Sequence, residues 1–220
     1  MNIMNRLTKL ANKWQTDKGT EFEDSHGYTE FYQQFFEKYE HPKIVEVGTW
    51  RGSSIRMLNE FFDGDCEIWA CDWNAELLYL LSDVPNVHLM LVDVNEMETI
   101  DILRAELEKS GGIDIIIDDA SHEPQAQMNL LSGLHSVLNE DGIYIIEDIH
   151  FNRLRDNKAN SPLYFLNFLE PSNLLSDGEN VELISKIKDV QIFSRKNHAF
   201  EMDTKYGGRS MTSVITFEKS

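Results

Sequence analysis

The sequence predicts an α/β fold built on a doubly wound, mostly parallel sheet. Three observations carry the prediction. Two isoleucine-rich runs, Ile113–Asp118 and Gly142–Glu147, are apolar nearly throughout, as strands of a parallel sheet are when helices cover both faces. Between residues 42 and 150 such short apolar runs alternate with stretches of helical spacing, the βαβα pattern of a doubly wound sheet. Each run also ends on glycine or acid: Gly48, Asp72, Asp93, Asp118-Asp119 and Glu147-Asp148. Ligands of open α/β sheets bind just beyond those carboxyl ends.

Taken in order, residues 1–12 read as an amphipathic helix, with Ile3, Leu7, Leu10 and Ala11 at helical spacing. A polar turn follows from Trp14 to Thr20, punctuated by Gly19. Thr29 is the N-cap candidate for an aromatic-faced helix through Phe36, stopped before Pro42. The first strand is Ile44–Val47, then a loop 48–54 and a helix Ile55–Phe62. Strand Glu67–Asp72, helix Ala75–Leu81, strand Val87–Asp93 and helix Glu96–Lys109 follow, the last closed by Gly111-Gly112. The fourth strand ends at Asp118. Glu123–Leu138 is helical, with Pro124 in the first turn, where proline is tolerated. The fifth strand runs from Gly142 to Glu147. Beyond it, 152–160 is polar and loop-like, and 161–169 has a helical pattern. Val181–Ile187, Val190–Ser194 and Met211–Glu218 read as strands that add an antiparallel edge.

Composition narrows the function. With 220 residues, 41% hydrophobic and 26% charged, the chain has the make-up of one soluble domain with a full core. We divide residues 1–220 into an N-terminal helical segment (1–41), a core (42–150) and a C-terminal part (151–220). A net charge of −18 speaks against nucleic-acid or anionic-membrane partners, which need basic footprints. Neither a signal peptide nor a membrane span is expected, and the expected location is cytoplasmic. Cys66 and Cys71 are read as buried free thiols. Self-association is left open.

The strand ends carry the chemistry. Adjacent fourth and fifth strands would bring Asp119, Glu147 and Asp148 to one rim, where carboxylates repel unless a cation sits among them or protons are taken up. Oxygen ligands suit Mg2+, Mn2+ or Ca2+. His122 stands beside them as a general base, since imidazole titrates near neutral pH; plain helix capping is its alternative role. After the first strand, Gly48 allows a sharp turn and Gly52 a close approach at a helix start, whose amides favour an anion. Thr49 and Ser53 lie in the same loop. The spacing is not the dinucleotide G-x-G-x-x-G, which counts against a nicotinamide oxidoreductase. A carboxylate such as that of a methionine moiety is a smaller guest. Asp72 is placed to bind ribose hydroxyls, Asp93-Val94 to meet an adenine amino group, and Asp118 to cap or bond the cofactor loop.

These residues resemble a known pattern. Glu46-x-Gly48-x-x-x-Gly52, Asp72 and Asp93 are similar to the cofactor motifs of class I S-adenosylmethionine-dependent methyltransferases. Asp118-Asp119-Ala120-Ser121-His122 and Ile146-Glu147-Asp148 resemble those of the Mg2+-dependent macrolide sugar O-methyltransferases of mycinamicin type and of their cephalosporin-tailoring relatives. Lys13-Trp14-Gln15-Thr16-Asp17-Lys18 and His26-x-Tyr28-Thr29 are similar to that family's N-terminal segment. The resemblance implies a Rossmann-like, doubly wound, mostly parallel seven-stranded sheet with an antiparallel C-terminal edge strand. It implies S-adenosylmethionine as cofactor, contacted also by Thr16, Asp17, Lys18, Tyr28 and Glu46. It further implies Asp119, Glu147 and Asp148 as ligands of Mg2+ (or Mn2+), His122 as base, and a small hydroxylated acceptor as substrate. Two rival readings stand beside it: a metal-independent class I methyltransferase, and a non-catalytic S-adenosylmethionine-binding protein.

Overall fold

A computed structural model describes residues 4–21, 25–149, 183, 185–196 and 209–218. Among them are six α-helices: α1 (Arg6–Trp14), α2 (Thr29–Phe36), α3 (Ser53–Phe61), α4 (Ala75–Tyr79), α5 (Met97–Lys109) and α6 (Pro124–Leu134). Seven strands accompany them: β1 (Lys43–Val47), β2 (Glu67–Asp72), β3 (Val87–Leu91), β4 (Ile113–Asp118), β5 (Leu138–Ile146), β6 (Ile187–Lys196) and β7 (Arg209–Phe217). They form one sheet in the order β3-β2-β1-β4-β5-β7-β6. The first five strands pair in parallel, while β7 runs antiparallel to both β5 and β6. The antiparallel edge is a pair of strands, β7 and β6.

Side chains alternate across the sheet, and each face has its own core. Val45, Val47, Ile116, Tyr144 and Ile146 pack with residues of α5 and α6. Ile44, Ile115, Ile117, Ile143 and Ile145 pack with residues of α1, α2 and α3. The period of two puts Glu46 on the face of Ile44, the side of α1 and α2. The order reverses between β1 and β4, a switch point where a doubly wound sheet opens a crevice for ligands.

Several boundaries differ from expectation, each for a local reason. The first helix reaches Trp14 and ends where Gln15 turns left-handed; Asn5 caps it by accepting from Thr8 N at 2.7 Å. Thr29 is not a cap but the first residue of α2. Its hydroxyl donates to the Lys18 carbonyl (3.0 Å), a long-range bond that a local pattern does not reveal. The helix after His122 stops at Leu134, and β5 begins at Leu138, because Leu138 pairs with Ile113 and Asn139 donates to Asp114 (2.8 Å). β3 ends at Leu91, and Asp93 begins a turn in which its carboxylate accepts from Asn95 N (2.9 Å). Cys66 and Cys71 are buried free thiols. The expected loop 152–160 and helix 161–169 lie outside the described residues, as does Ile3; of the expected strand 181–187 the described residues Leu183 and Ser185 are helical and Lys186 is in a turn, so β6 begins only at Ile187.

Candidate active site

The register of the central strands builds the site. Val47 pairs with Asp118 and Asp118 with Ile146. The ladder continues one step past the strands, Asp119 N donating to Val47 O and Glu147 N to Asp118 O, both at 2.9 Å. Asp119 and Glu147 therefore leave neighbouring strands at the same level. One residue on, Asp148 takes positive φ (56°), as does His122 (54°) after β4. Left-handed turns at non-glycine residues are uncommon and cluster at functional sites.

Each of Asp119, Glu147 and Asp148 is held by a side chain from the N-terminal segment. Lys18, 2% exposed, lies between Asp119 and Glu147, its Nζ 2.6 Å from Glu147 Oε2, in a still shorter contact with Asp119 Oδ2, and 3.5 Å from Glu46 Oε1. Tyr32 OH donates to Glu147 Oε1 (2.9 Å), and Tyr28 OH is 2.5 Å from Asp148 Oδ1. The same segment touches β7: His26 Nδ1 is 2.7 Å from Ser210 Oγ, and Tyr32 OH is 2.8 Å from Thr212 Oγ1. A buried ammonium is tolerable only when paired. Burial pulls the Lys18 pKa down, but Asp119, Glu147, Glu46 and Asp17 together outweigh it and hold the group charged.

One ammonium does not neutralise this set. Burial pushes Asp119 up to about 6 and Glu147 well above the usual carboxylate range, in each case against the pull of Lys18. Glu46 is raised by burial too, and Asp118 is pushed up to about 7 for the same reason. Protons or a further cation would relieve such a set. Asp119, His122 and Asp148 each offer one ligand atom, and these atoms all lie within 4.8 Å of one another. Carboxylate oxygens with one imidazole suit a hard divalent ion. Glu147 differs from expectation: both its oxygens are engaged, by Lys18 and Tyr32. His122 Nε2 lies 3.5 Å from Asp148 Oδ2.

Beside this cluster a cavity of about 190 Å³ opens at the carboxyl ends of β1 to β4, lined by Gly48, Asp72, Trp73, Asp93, Val94 and Ala120 among others. Two buried polar atoms of the same strand ends, Thr49 Oγ1 and Asp118 Oδ2, have no hydrogen-bond partner among the described residues. A polar guest would satisfy such atoms. Asp72 is fixed by accepting from Trp50 N (3.1 Å) and Asn74 N (3.0 Å).

The two loop glycines also serve the chain itself. A Cβ on Gly48 (φ +94°) would overlap the Asp119 carbonyl, and one on Gly52 (φ +78°) would overlap Leu81. Gly48 thus lets β1 and the Asp119–Ala120 backbone meet, and Gly52 seats α3 against Leu81. Gly48→Ala is expected to cost at least about 3 kcal/mol, from strain plus backbone overlap, measurable as a lowered urea midpoint.

The structure thus brings Gly48, Asp72, Asp93 and Val94 to the cavity, with Thr49 and Asp118 at the adjoining strand ends. Lys18, Tyr28 and Glu46, expected to contact a cofactor, sit in the acidic cluster instead. Thr16 is buried beside Asp17, Thr16 Oγ1 lying 3.3 Å from Asp17 Oδ1, and Ser53 opens α3. Trp73 lines the cavity, and both it (72% exposed) and Trp50 (67%) lie outside the core. Tyr32 escaped sequence reasoning, and His26 was singled out only as part of the N-terminal motif. The i, i+4 spacing of Tyr28 and Tyr32, which stacks two hydroxyls on one face, was the available signal.

Residues 45–149, from β1 to just past β5, match the family model described as a methyltransferase domain. Among curated relatives, mycinamicin VI 2''-O-methyltransferase of Micromonospora griseorubida is 27% identical over 154 residues, 65% of this chain and 36% of its own length. The 8-demethyl-8-α-L-rhamnosyl tetracenomycin-C 2'-O-methyltransferase of Streptomyces olivaceus is 29% identical over 56% of this chain and 33% of its own length. The matched region is about a third of these relatives. The solved structure of MycE, a methyltransferase of the mycinamycin pathway in complex with Mg, SAH and mycinamycin VI, superposes with a TM-score of 0.72. That match covers 98% of this chain and 55% of MycE at 19% identity, a likeness of fold. Among the described residues no helix is long and apolar enough to cross a membrane.

Proposed function

We propose that this chain is an S-adenosylmethionine-dependent, divalent-cation-dependent O-methyltransferase acting on a hydroxyl of a sugar or another small natural product. One observation carries the reading: the cavity at the switch point adjoins the Asp119, His122 and Asp148 cluster, with Ala120 and Ser121 lining the cavity between Asp119 and His122 in the chain. Relatives named for O-methylation, one of a rhamnosyl compound, support the acceptor class.

S-adenosylmethionine supplies a methyl group on a sulfonium: the acceptor O–CH3 bond forms, the S–CH3 bond breaks, and the hydroxyl proton must leave. A divalent ion (Mg2+ or Mn2+) supplies positive charge that lowers the cost of the alkoxide. Asp119 and Asp148 would hold that ion, with Glu147 joining once released by Lys18. Asp72 would bind the ribose hydroxyls, Asp93 and Val94 the adenine, and Thr49 and Asp118 the methionine end. Gly48 keeps the cleft floor in place, Gly52 and Ser53 start α3, and Thr16, Asp17 and Tyr28 wall the site. His122 takes the proton, and Asp148, 3.5 Å away, stabilises the imidazolium. Holding donor and acceptor aligned contributes roughly 7–11 kcal/mol.

Asp72→Ala is expected to raise the KM for S-adenosylmethionine ~10–100-fold, the worth of one charge-assisted hydrogen bond, with a smaller change in kcat. The test of the whole reading is methyl transfer to a panel of vicinal-diol glycosides, after EDTA and after Mg2+ is restored. Activity lost and regained supports it; equal rates contradict the cation. Lys18, already seated between two of the carboxylates, is the observation that favours the metal-independent alternative, and undiminished turnover in EDTA would select it.

A further inference from the structure

We propose that the Lys18 ammonium is a built-in counter-ion that competes with the divalent cation for Asp119 and Glu147. The inference rests on the cation reading above and adds how this chain sets its affinity for the ion. Lys18 Nζ contacts Asp119 Oδ2, the carboxylate that is also a corner of the compact Asp119, His122 and Asp148 group. It also lies 2.6 Å from Glu147 Oε2, while Tyr32 donates to the other oxygen, so an ion at Oε2 competes directly with Lys18. The ammonium is not on a loose stem. The Lys18 carbonyl accepts from both the amide (3.1 Å) and the hydroxyl (3.0 Å) of Thr29, and Gly27 N donates to Gly19 O at 2.8 Å. The cation is therefore delivered to the cluster by a braced turn.

Two consequences follow from charge alone. A fixed positive group beside an ion weakens its binding, so removing it tightens binding. Removing it also leaves Glu46 and Glu147 buried without their cation, so the folded state then depends on the added ion. A residue that merely packed would do neither.

The test is Mn2+ binding by metal-free full-length protein, read from the EPR signal of free Mn2+, for wild type, Lys18→Met and Lys18→Arg. The proposal expects Lys18→Met to bind at least ~10-fold more tightly, Lys18→Arg to stay within a fewfold of wild type, and Mn2+ to raise the Tm of Lys18→Met more than that of wild type. A folded Lys18→Met with equal or weaker affinity overturns the competition while leaving the cation site standing. Absence of Mn2+ uptake by all three proteins overturns the cation site, and the competition with it. Should Lys18→Met not fold, the wild type still decides. A slowly exchanging lysine ammonium in 15N NMR of the metal-free protein should shift or vanish on Mg2+ saturation, and its persistence unchanged overturns the proposal.

Discussion

His122→Ala is expected to lower kcat by ~10²–10⁴-fold, the usual worth of a positioned general base, and to leave the affinity for S-adenosylmethionine near that of wild type. The reason is geometric. His122 stands at the end of the cavity wall formed by Ala120 and Ser121 but faces Asp148, not the lining that holds Asp72 and Asp93. Single-turnover rates and donor binding, measured separately, give the split. Because His122 also lies within reach of the same point as Asp119 and Asp148, the variant has a second readout. As a base, its loss leaves Mn2+ affinity little changed; as a ligand, its loss weakens Mn2+ together with the rate. Equal fall of both contradicts the role assigned here.

Asp119→Asn is expected to weaken divalent-cation binding by ~100-fold or more and to remove most of the cation-dependent activity. Loss of an outer hydrogen-bond partner of a metal ligand typically costs ~10–100-fold, and Asp119 contributes a charged oxygen directly. The substitution is close in shape, so the backbone bond from Asp119 N to Val47 O and the seat beside Gly48 should survive. Lys18 keeps Glu147 and Glu46 as partners, which limits the loss of stability. Titration with Mn2+ and a thermal melt report the two quantities independently. A variant with wild-type cation affinity would remove Asp119 from the ligand set.

The sheet was legible because buried parallel strands must be apolar throughout, so Ile113–Asp118 and Gly142–Glu147 announce themselves. The strand-end acids were legible for the same reason: a carboxylate closing such a run has nowhere to go but the rim. What the sequence hid depends on pairs far apart in the chain. Nothing local tells that Lys18, in a polar turn, is 2% exposed and reaches Glu147, or that Tyr32 spends its hydroxyl on that same carboxylate. An aromatic on a helix face reads as core, and Tyr32 is core along its ring and site at its oxygen. The need for Gly48 and Gly52 was legible, but not that Asp119 and Leu81 press on them from elsewhere in the chain. The start of β5 was missed because Leu138 and Asn139 are set by Ile113 and Asp114 on the neighbouring strand, a tertiary contact that overrides helical spacing.

The central claim is that the carboxyl ends of β4 and β5 hold a divalent ion beside a sulfonium donor. A crystal structure with S-adenosylhomocysteine and Mg2+ tests it most directly. The account predicts one ion bound by Asp119 and Asp148, with the nucleoside between Asp72 and Asp93. A structure with the nucleoside in that cleft, Lys18 still clamped on Asp119 and Glu147, and no ion beside them would contradict it.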